Sequence, residues 1–179
     1  NHKIIGITGS NGKTTIKDLI HHILSSKYKC SKSIGNYNST IGLPLSYLNS
    51  KINDQYCILE YGANKINEIE FLCKIIKPDF SLITNISKAH IKNFKTIQNT
   101  IKTKNQIYSC LDKNDLAVVN LDDNNILSTK IKCKKITVSI YNNNANYFAK
   151  SKDNNQILSI NNKNISLNQN LFHIKDLIL

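Results

Sequence analysis

Residues 4–15, IIGITGSNGKTT, concentrate more chemistry than any other stretch of the chain. An apolar run ends in a turn bearing Gly9 and Gly12, and Lys13, Thr14 and Thr15 follow at once. Glycine takes backbone angles closed to other residues, so the N–H groups of Gly9, Ser10, Asn11 and Gly12 can face one way and cradle a polyphosphate. Lys13 would neutralise its outer phosphates and the Thr14 hydroxyl would ligand Mg²⁺. Thr15 would lie in the first turn of a helix whose N-terminal partial charge adds to the attraction. The pattern G-x-x-x-x-G-K-[ST] would require glycine at Ile7, so this is a shorter form, T-G-x-x-G-K-T.

Three further side chains invite a chemical reading. Glu60 closes the apolar run YCILE, where an acid at a strand end beside a phosphate loop can hold Mg²⁺ in the manner of a Walker-B carboxylate. Lys104 takes the one position that is not apolar in the series Ile97, Ile101, Lys104, Tyr108, Leu111. That spacing allows either a buried amine of lowered pKa, open to modification, or a lysine whose head reaches water from the edge of the stripe. His90 follows the run FSLITN and is either a polar loop residue or a group that reaches a metal or phosphate.

The elements that must position these groups alternate. Strands are expected at residues 3–8, 29–34, 56–60, 80–84 and 116–120, and helices at 13–26, 44–48, 66–76 and 96–111. The first helix carries Ile16, Leu19, Ile20, Ile23 and Leu24 on one face, and the third turns Ile69, Leu72 and Cys73 inward. Apolar strands separated by helices predict an α/β fold, a mostly parallel sheet covered on both faces. In such sheets ligands bind at the carboxyl ends of the strands, where Thr8, Glu60, Thr84 and Asn120 fall. Beyond Asn120, the segments ITVSI, NYFAK, QILSI and ISLNQ predict an antiparallel β extension at the sheet edge.

At 179 residues the chain fits one domain with a real core. Its net charge of +12 comes from lysine alone, spread evenly, and the absence of arginine argues against nucleic-acid recognition. No run is long enough to span a bilayer. The five cysteines are scattered without a C-x-x-C pair, which suits reduced thiols in the cytosol, and the chain is expected to be monomeric.

Taken in order, GITGSNGKTT, GNYNSTIGLP, EYGAN, KPDFSLITNISKAHIKNF, KTKNQIY and VVNLDD resemble the central ATPase domain of the Mur ligases, over about residues 3–123. Within that family the set is most similar to the branch that joins D-alanyl-D-alanine to UDP-N-acetylmuramoyl-tripeptide. The resemblance implies an ATP-dependent amide ligase of peptidoglycan synthesis, in which a substrate carboxylate takes the γ-phosphoryl group and the dipeptide amine then displaces phosphate. It implies ATP on residues 9–15 and a first Mg²⁺ on Thr14 and Glu60. It further implies a second Mg²⁺ served by His90, carbamylation of Lys104, Asn120 and Asp122 near the nucleoside, and Asn36 and Asn38 toward the muramoyl-peptide.

Residues 1–179 are then expected to form a central domain incomplete at its C-terminal end, with the UDP-binding and C-terminal domains outside it. Such a fragment should bind ATP weakly and turn over little. Asn67, Ser87, Lys95 and Asn105 stand where relatives usually have glycine, and Gln106 where an acid is common. The alternatives are another Mur ligase, a folylpolyglutamate synthase-like ligase, or a non-catalytic nucleotide-binding remnant. A nucleic-acid-binding ATPase is the least favoured.

Overall fold

A computed structural model describes residues 2–87, 94–127, 131–152, 157–161 and 163–166. The chain runs β1 (Lys3–Thr8), α1 (Lys13–Ser25), β2 (Cys30–Lys32), α2 (Gly42–Leu48), β3 (Tyr56–Glu60), α3 (Glu68–Ile75), β4 (Phe80–Ile83) and α4 (Ile97–Ser109). It continues through β5 (Leu116–Asn120), α5 (Asn124–Leu127), β6 (Lys134–Ser139), β7 (Tyr147–Lys152), β8 (Ile157–Ile160) and β9 (Lys163–Ser166). The strands form one sheet in the order β2-β3-β1-β4-β5-β6-β7-β8-β9. Every pairing from β2 to β7 is parallel.

Successive side chains of a strand point to opposite faces, and this alternation divides the core. Ile4, Cys57, Leu59, Ile83, Ala117 and Val119 pack on one face with Leu43 of α2, Ile69 and Leu72 of α3, Ile107 and Tyr108 of α4, and Ile126 of α5. Ile7, Ile58 and Leu82 pack on the other face against Ile16 of α1. Tyr108 also reaches through the layer: its hydroxyl donates to Val118 O at 2.6 Å and accepts from Ile83 N at 3.1 Å.

The expected apolar stripe of α1 is only partly covered. Ile16 is buried, whereas Ile23 is 65% exposed and borders, with Ile20, Leu24, Phe80 and Val118, an apolar groove of about 290 Å³. Among the described residues α1 alone lies on that face, so its far end has nothing to pack beneath.

The change to antiparallel pairing comes later than ITVSI. Both β6 and β7 still run parallel, and the direction reverses only at β8, antiparallel to β7, and again at β9, antiparallel to β8. A parallel pair ordinarily needs a long crossover. Here the last residues of β6 pair with the first of β7, Val138 with Tyr147 and Ser139 with Phe148, so the chain advances past β6 and a seven-residue link suffices. Asn146 holds that link, accepting from Thr137 N at 2.8 Å and donating its own N–H to Thr137 Oγ1 at 2.9 Å.

The positions expected to be glycine divide into two kinds. Asn67 and Lys95 have φ of 66° and 64°, the left-handed region that glycine occupies without penalty. Asn67 recovers part of the cost by accepting a hydrogen bond from Gln106 Nε2 at 2.8 Å. Ser87 and Asn105 are not among the residues of positive φ, and both use side chains that glycine lacks. Lys95→Gly should therefore raise unfolding free energy by about 1 kcal/mol, read from the urea midpoint; an unchanged midpoint would show that the left-handed lysine is unstrained.

Candidate functional site

The parallel register places the carboxyl ends of β1, β3, β4 and β5 at one rim, with Ile7 opposite Glu60 and Thr8 opposite Ile83. From that rim the chain leaves β1 through residues 9–12 and enters α1. Gly12 sits at the helix start with φ 78°, and no side chain caps the helix. The first intrahelical bond runs from Ile16 N to Gly12 O at 3.0 Å, so the N–H groups of Lys13, Thr14 and Thr15 lie ahead of the helical ladder and turn toward the loop. This is a concave N–H surface of the kind that holds anions.

The loop is strapped to the segment that leaves β4. Ser10 N donates to Asn85 O at 2.8 Å, Thr84 Oγ1 to Asn11 O at 2.6 Å, and Asn85 Nδ2 to Asn11 O at 3.1 Å. Ser10 Oγ accepts from Ser87 N at 3.0 Å, and Asn11 Nδ2 reaches Ser87 Oγ at 3.4 Å. Ser87 thus clasps the loop mainly through its backbone, with its hydroxyl adding a longer contact. Sequence reasoning missed this strap, whose visible signal was a run of small polar residues directly after β4.

Gly9 is where the strap comes closest. Its φ is 152°, and a Cβ there would stand 1.9 Å from Thr84 Oγ1. Gly9→Ala should cost about 2 kcal/mol of stability and displace the loop, seen as a lowered urea midpoint together with shifted amide resonances for residues 9–12; a variant as stable as the parent would mean the strap yields freely.

Two ammonium groups converge on the carbonyl oxygen of Gly9. Lys13 Nζ donates to it at 2.9 Å from α1, on one face of the sheet. Lys104 Nζ donates to it at 2.9 Å from α4, on the opposite face. Lys104 is 3% exposed, so of the two readings its spacing allowed the buried one holds. The buried face of α4 is wider than the expected stripe and includes Thr100, Thr103 and Ile107, because α4 packs on both the sheet and α3.

Burial lowers the Lys104 ammonium to a pKa of about 8, with repulsion from Lys13 acting in the same direction. Burial likewise lowers Lys13, and the Glu60 carboxylate draws it part of the way back. The sign for stability follows from proton counting. Between pH 8 and 10.5 the unfolded chain holds a proton at this lysine that the folded chain has lost, so stability rises with pH across that window. The gain should be on the order of 3 kcal/mol. Urea unfolding at pH 7 and pH 10 should therefore differ more in the parent than in Lys104→Met, and equal differences would place the ammonium in water.

Glu60 follows Ile58 on the α1 face by strand alternation and is 1% exposed. Its Oε1 lies 3.1 Å from Lys17 Nζ yet accepts no hydrogen bond of good geometry, and its Oε2 receives only a long bond from Asn38 Nδ2, 3.4 Å. A buried carboxylate with spare lone pairs at the mouth of an anion-binding loop suits a hard divalent cation, so the residues present fit Mg²⁺. Lys17 was also missed by sequence reasoning. Its signal was available, since it stands one turn after Lys13 on the side of α1 that faces β3.

The remaining sequence candidates are placed as follows. Thr14 is exposed at the first turn of α1, beside the loop. Asn38 comes to the site: besides its contact with Glu60, its carbonyl accepts from Gly62 N at 2.8 Å. Asn36 is exposed on the same loop. Asn120 donates to Thr84 O at 3.0 Å and accepts from Asp122 N at 3.0 Å, while the Asp122 carboxylate is held by Ser139 Oγ and by Ile140 N at 2.9 Å. These two side chains bind the rim together. His90 lies outside the described residues. Among those residues, no helix is long and apolar enough to cross a membrane.

Known proteins resemble this chain in sequence and in fold. The family model described as Mur ligase middle domain matches residues 7–174. The UDP-N-acetylmuramoyl-tripeptide--D-alanyl-D-alanine ligase of Borreliella burgdorferi is 47% identical over 119 residues, covering 66% of this chain and 25% of that protein. The enzyme of the same name from Bacillus subtilis is 36% identical over 135 residues, covering 75% of this chain and 29% of that protein. The crystal structure of MurF ligase from Thermotoga maritima in complex with ADP superposes with a TM-score of 0.81 at 27% identity, over 93% of this chain and 40% of that one. The chain therefore spans between a quarter and a third of the length of the curated relatives it matches.

Proposed function

Because this chain belongs to the Mur ligase family of ATP-dependent amide ligases, we propose that it is the ATP-handling centre of a cytosolic ligase that joins D-alanyl-D-alanine to UDP-N-acetylmuramoyl-tripeptide. The observation that carries this reading is the meeting of Lys13 and Lys104 at Gly9 O, beside the uncapped start of α1 and within electrostatic reach of Glu60.

In this reading residues 9–15 hold the phosphates of ATP. The N–H groups of Lys13, Thr14 and Thr15 supply fixed donors, and the Lys13 ammonium leaves Gly9 O for the outer phosphate oxygens. Thr14 and Glu60 would hold a first Mg²⁺ and His90 would serve a second. When bound, these ions offset the negative charge that crowds the phosphoryl group in transfer. The strap from Thr84 to Ser87 keeps the donors in place before ATP arrives, so little reorganisation remains for the reaction. Asn38 joins the loop expected to meet the muramoyl-peptide, which also bears Asn36, to the metal carboxylate. Asn120 and Asp122 stabilise the rim toward the nucleoside.

Lys104 is the group assigned to carbamylation. With a pKa of about 8, about one amine in ten is unprotonated at pH 7, against roughly one in three thousand for an ordinary lysine. The free amine adds to CO₂ and loses a proton, which replaces a buried cation beside Lys13 with an anion.

The test is product formation by the protein carrying this chain. Given ATP, Mg²⁺, UDP-N-acetylmuramoyl-tripeptide and D-alanyl-D-alanine, it should release ADP and phosphate and yield the UDP-linked pentapeptide. A preference for glutamate or for a single amino acid as the amine would move the chain to another branch of the family. Absence of nucleotide binding at saturating Mg·ADP would leave only a remnant.

A further inference from the structure

Lys17 has no part in the chemistry assigned above, yet it is 2% exposed and its ammonium lies 3.1 Å from Glu60 Oε1. Its other carboxylate neighbour, Asp18 Oδ1, is farther, at 3.6 Å, and is itself held by Lys32 at 2.8 Å. Burying an ammonium is costly, and an apolar residue here would avoid that cost. The pair also leaves Glu60 incompletely satisfied, since Oε1 accepts no well-formed hydrogen bond. Lys17 therefore acts on Glu60 chiefly as a fixed neighbouring charge.

Around this rim Lys13 and Lys17 both feel a single buried carboxylate, Glu60, while Lys104 reaches Gly9 O from the opposite face of the sheet. A free divalent cation that approached Glu60 would stand beside Lys17 in a region of low dielectric, where like charges repel strongly. A metal bound to a polyphosphate carries net negative charge and meets the opposite field. We propose that Lys17 is a positioning residue that prevents Glu60 from taking a divalent cation by itself, so that the metal enters with its nucleotide. This rests on Glu60 being a ligand of the nucleotide's metal.

The experiment titrates Mn²⁺ into the full chain without nucleotide, read by the loss of the free-ion paramagnetic signal. Lys17→Gln keeps a donor and removes the charge, and it should bind Mn²⁺ at least about tenfold tighter than the parent. Lys17→Arg keeps the charge and should match the parent, and Glu60→Gln added to Lys17→Gln should erase the gain. Thermal melting is the second measurement, because Lys17→Gln leaves Glu60 buried without its nearest counter-charge. Mn²⁺ alone should raise its midpoint by about 5 °C while leaving the parent's almost unmoved.

A purely structural lysine would give the reverse, equal or weaker Mn²⁺ binding in Lys17→Gln, and that overturns the proposal. It is equally overturned if the gain survives Glu60→Gln or if saturating Mn²⁺ fails to restore an unfolded variant. A parallel titration with Mn·ADP separates the two readings. Binding by the parent that Glu60→Gln weakens, without a Lys17→Gln gain, sinks only the role of Lys17. Binding that is indifferent to Glu60 sinks the metal assignment itself.

Discussion

Lys13→Ala in the protein carrying this chain should leave it folded and, on the proposed function, lower phosphate release that depends on both UDP-N-acetylmuramoyl-tripeptide and D-alanyl-D-alanine by about a thousandfold or more. In this structure the Lys13 ammonium donates to Gly9 O at 2.9 Å, a neutral acceptor in its own loop. That bond contributes about 1 kcal/mol to folding, and the midpoint should shift little when it is lost. The larger effect appears in transfer, where charge spreads over the outer oxygens of the phosphoryl group and a preset cation is worth most. A variant that keeps its melting temperature and also turns over within tenfold of the parent would remove Lys13 from the reaction.

Glu60→Ala is expected to have the largest effect on folding, a loss of about 3–5 kcal/mol in urea unfolding at pH 7. The loss arises from what remains. Lys17 is buried 3.1 Å from the deleted carboxylate, and its other carboxylate neighbour lies at 3.6 Å and is shared with Lys32. Removing both charges, by Lys17→Met together with Glu60→Ala, should recover more than half of the loss, because no uncompensated ion is then left inside. Additive losses in the double variant would show that the two side chains do not interact. Catalysis should fail in both variants, so stability is the measurement that distinguishes the ion pair from the metal site.

Much of this arrangement was legible along the chain. An apolar run ending in G-S-N-G-K-T-T specifies strand, turn and helix start through backbone geometry a few residues wide, and β1 and α1 follow it. Period two along YCILE places Glu60 on the same face as Ile58, and the helical period of residues 97–111 puts Lys104 in the apolar stripe, buried or reaching water from its edge, a choice that only its 3% exposure decides. These are local rules, because side-chain direction follows from the dihedral angles of the element that carries it.

What a buried lysine touches is decided elsewhere. Lys104 meets the carbonyl of a residue 95 positions away, and it does so only because α4 covers the β4–β1 side of the sheet while the loop after β1 turns under it. The same holds for Lys17 and Glu60, for the clasp of Thr84, Asn85 and Ser87 on residues 9–12, and for β7, which stays parallel because its start lies beside the end of β6. Such contacts depend on strand order and register, which are fixed by the packing of all the elements at once. The chain thus determined by itself which residues could carry charge and phosphate chemistry. Only the assembled sheet decided that three ammonium groups and one carboxylate would gather at a single rim.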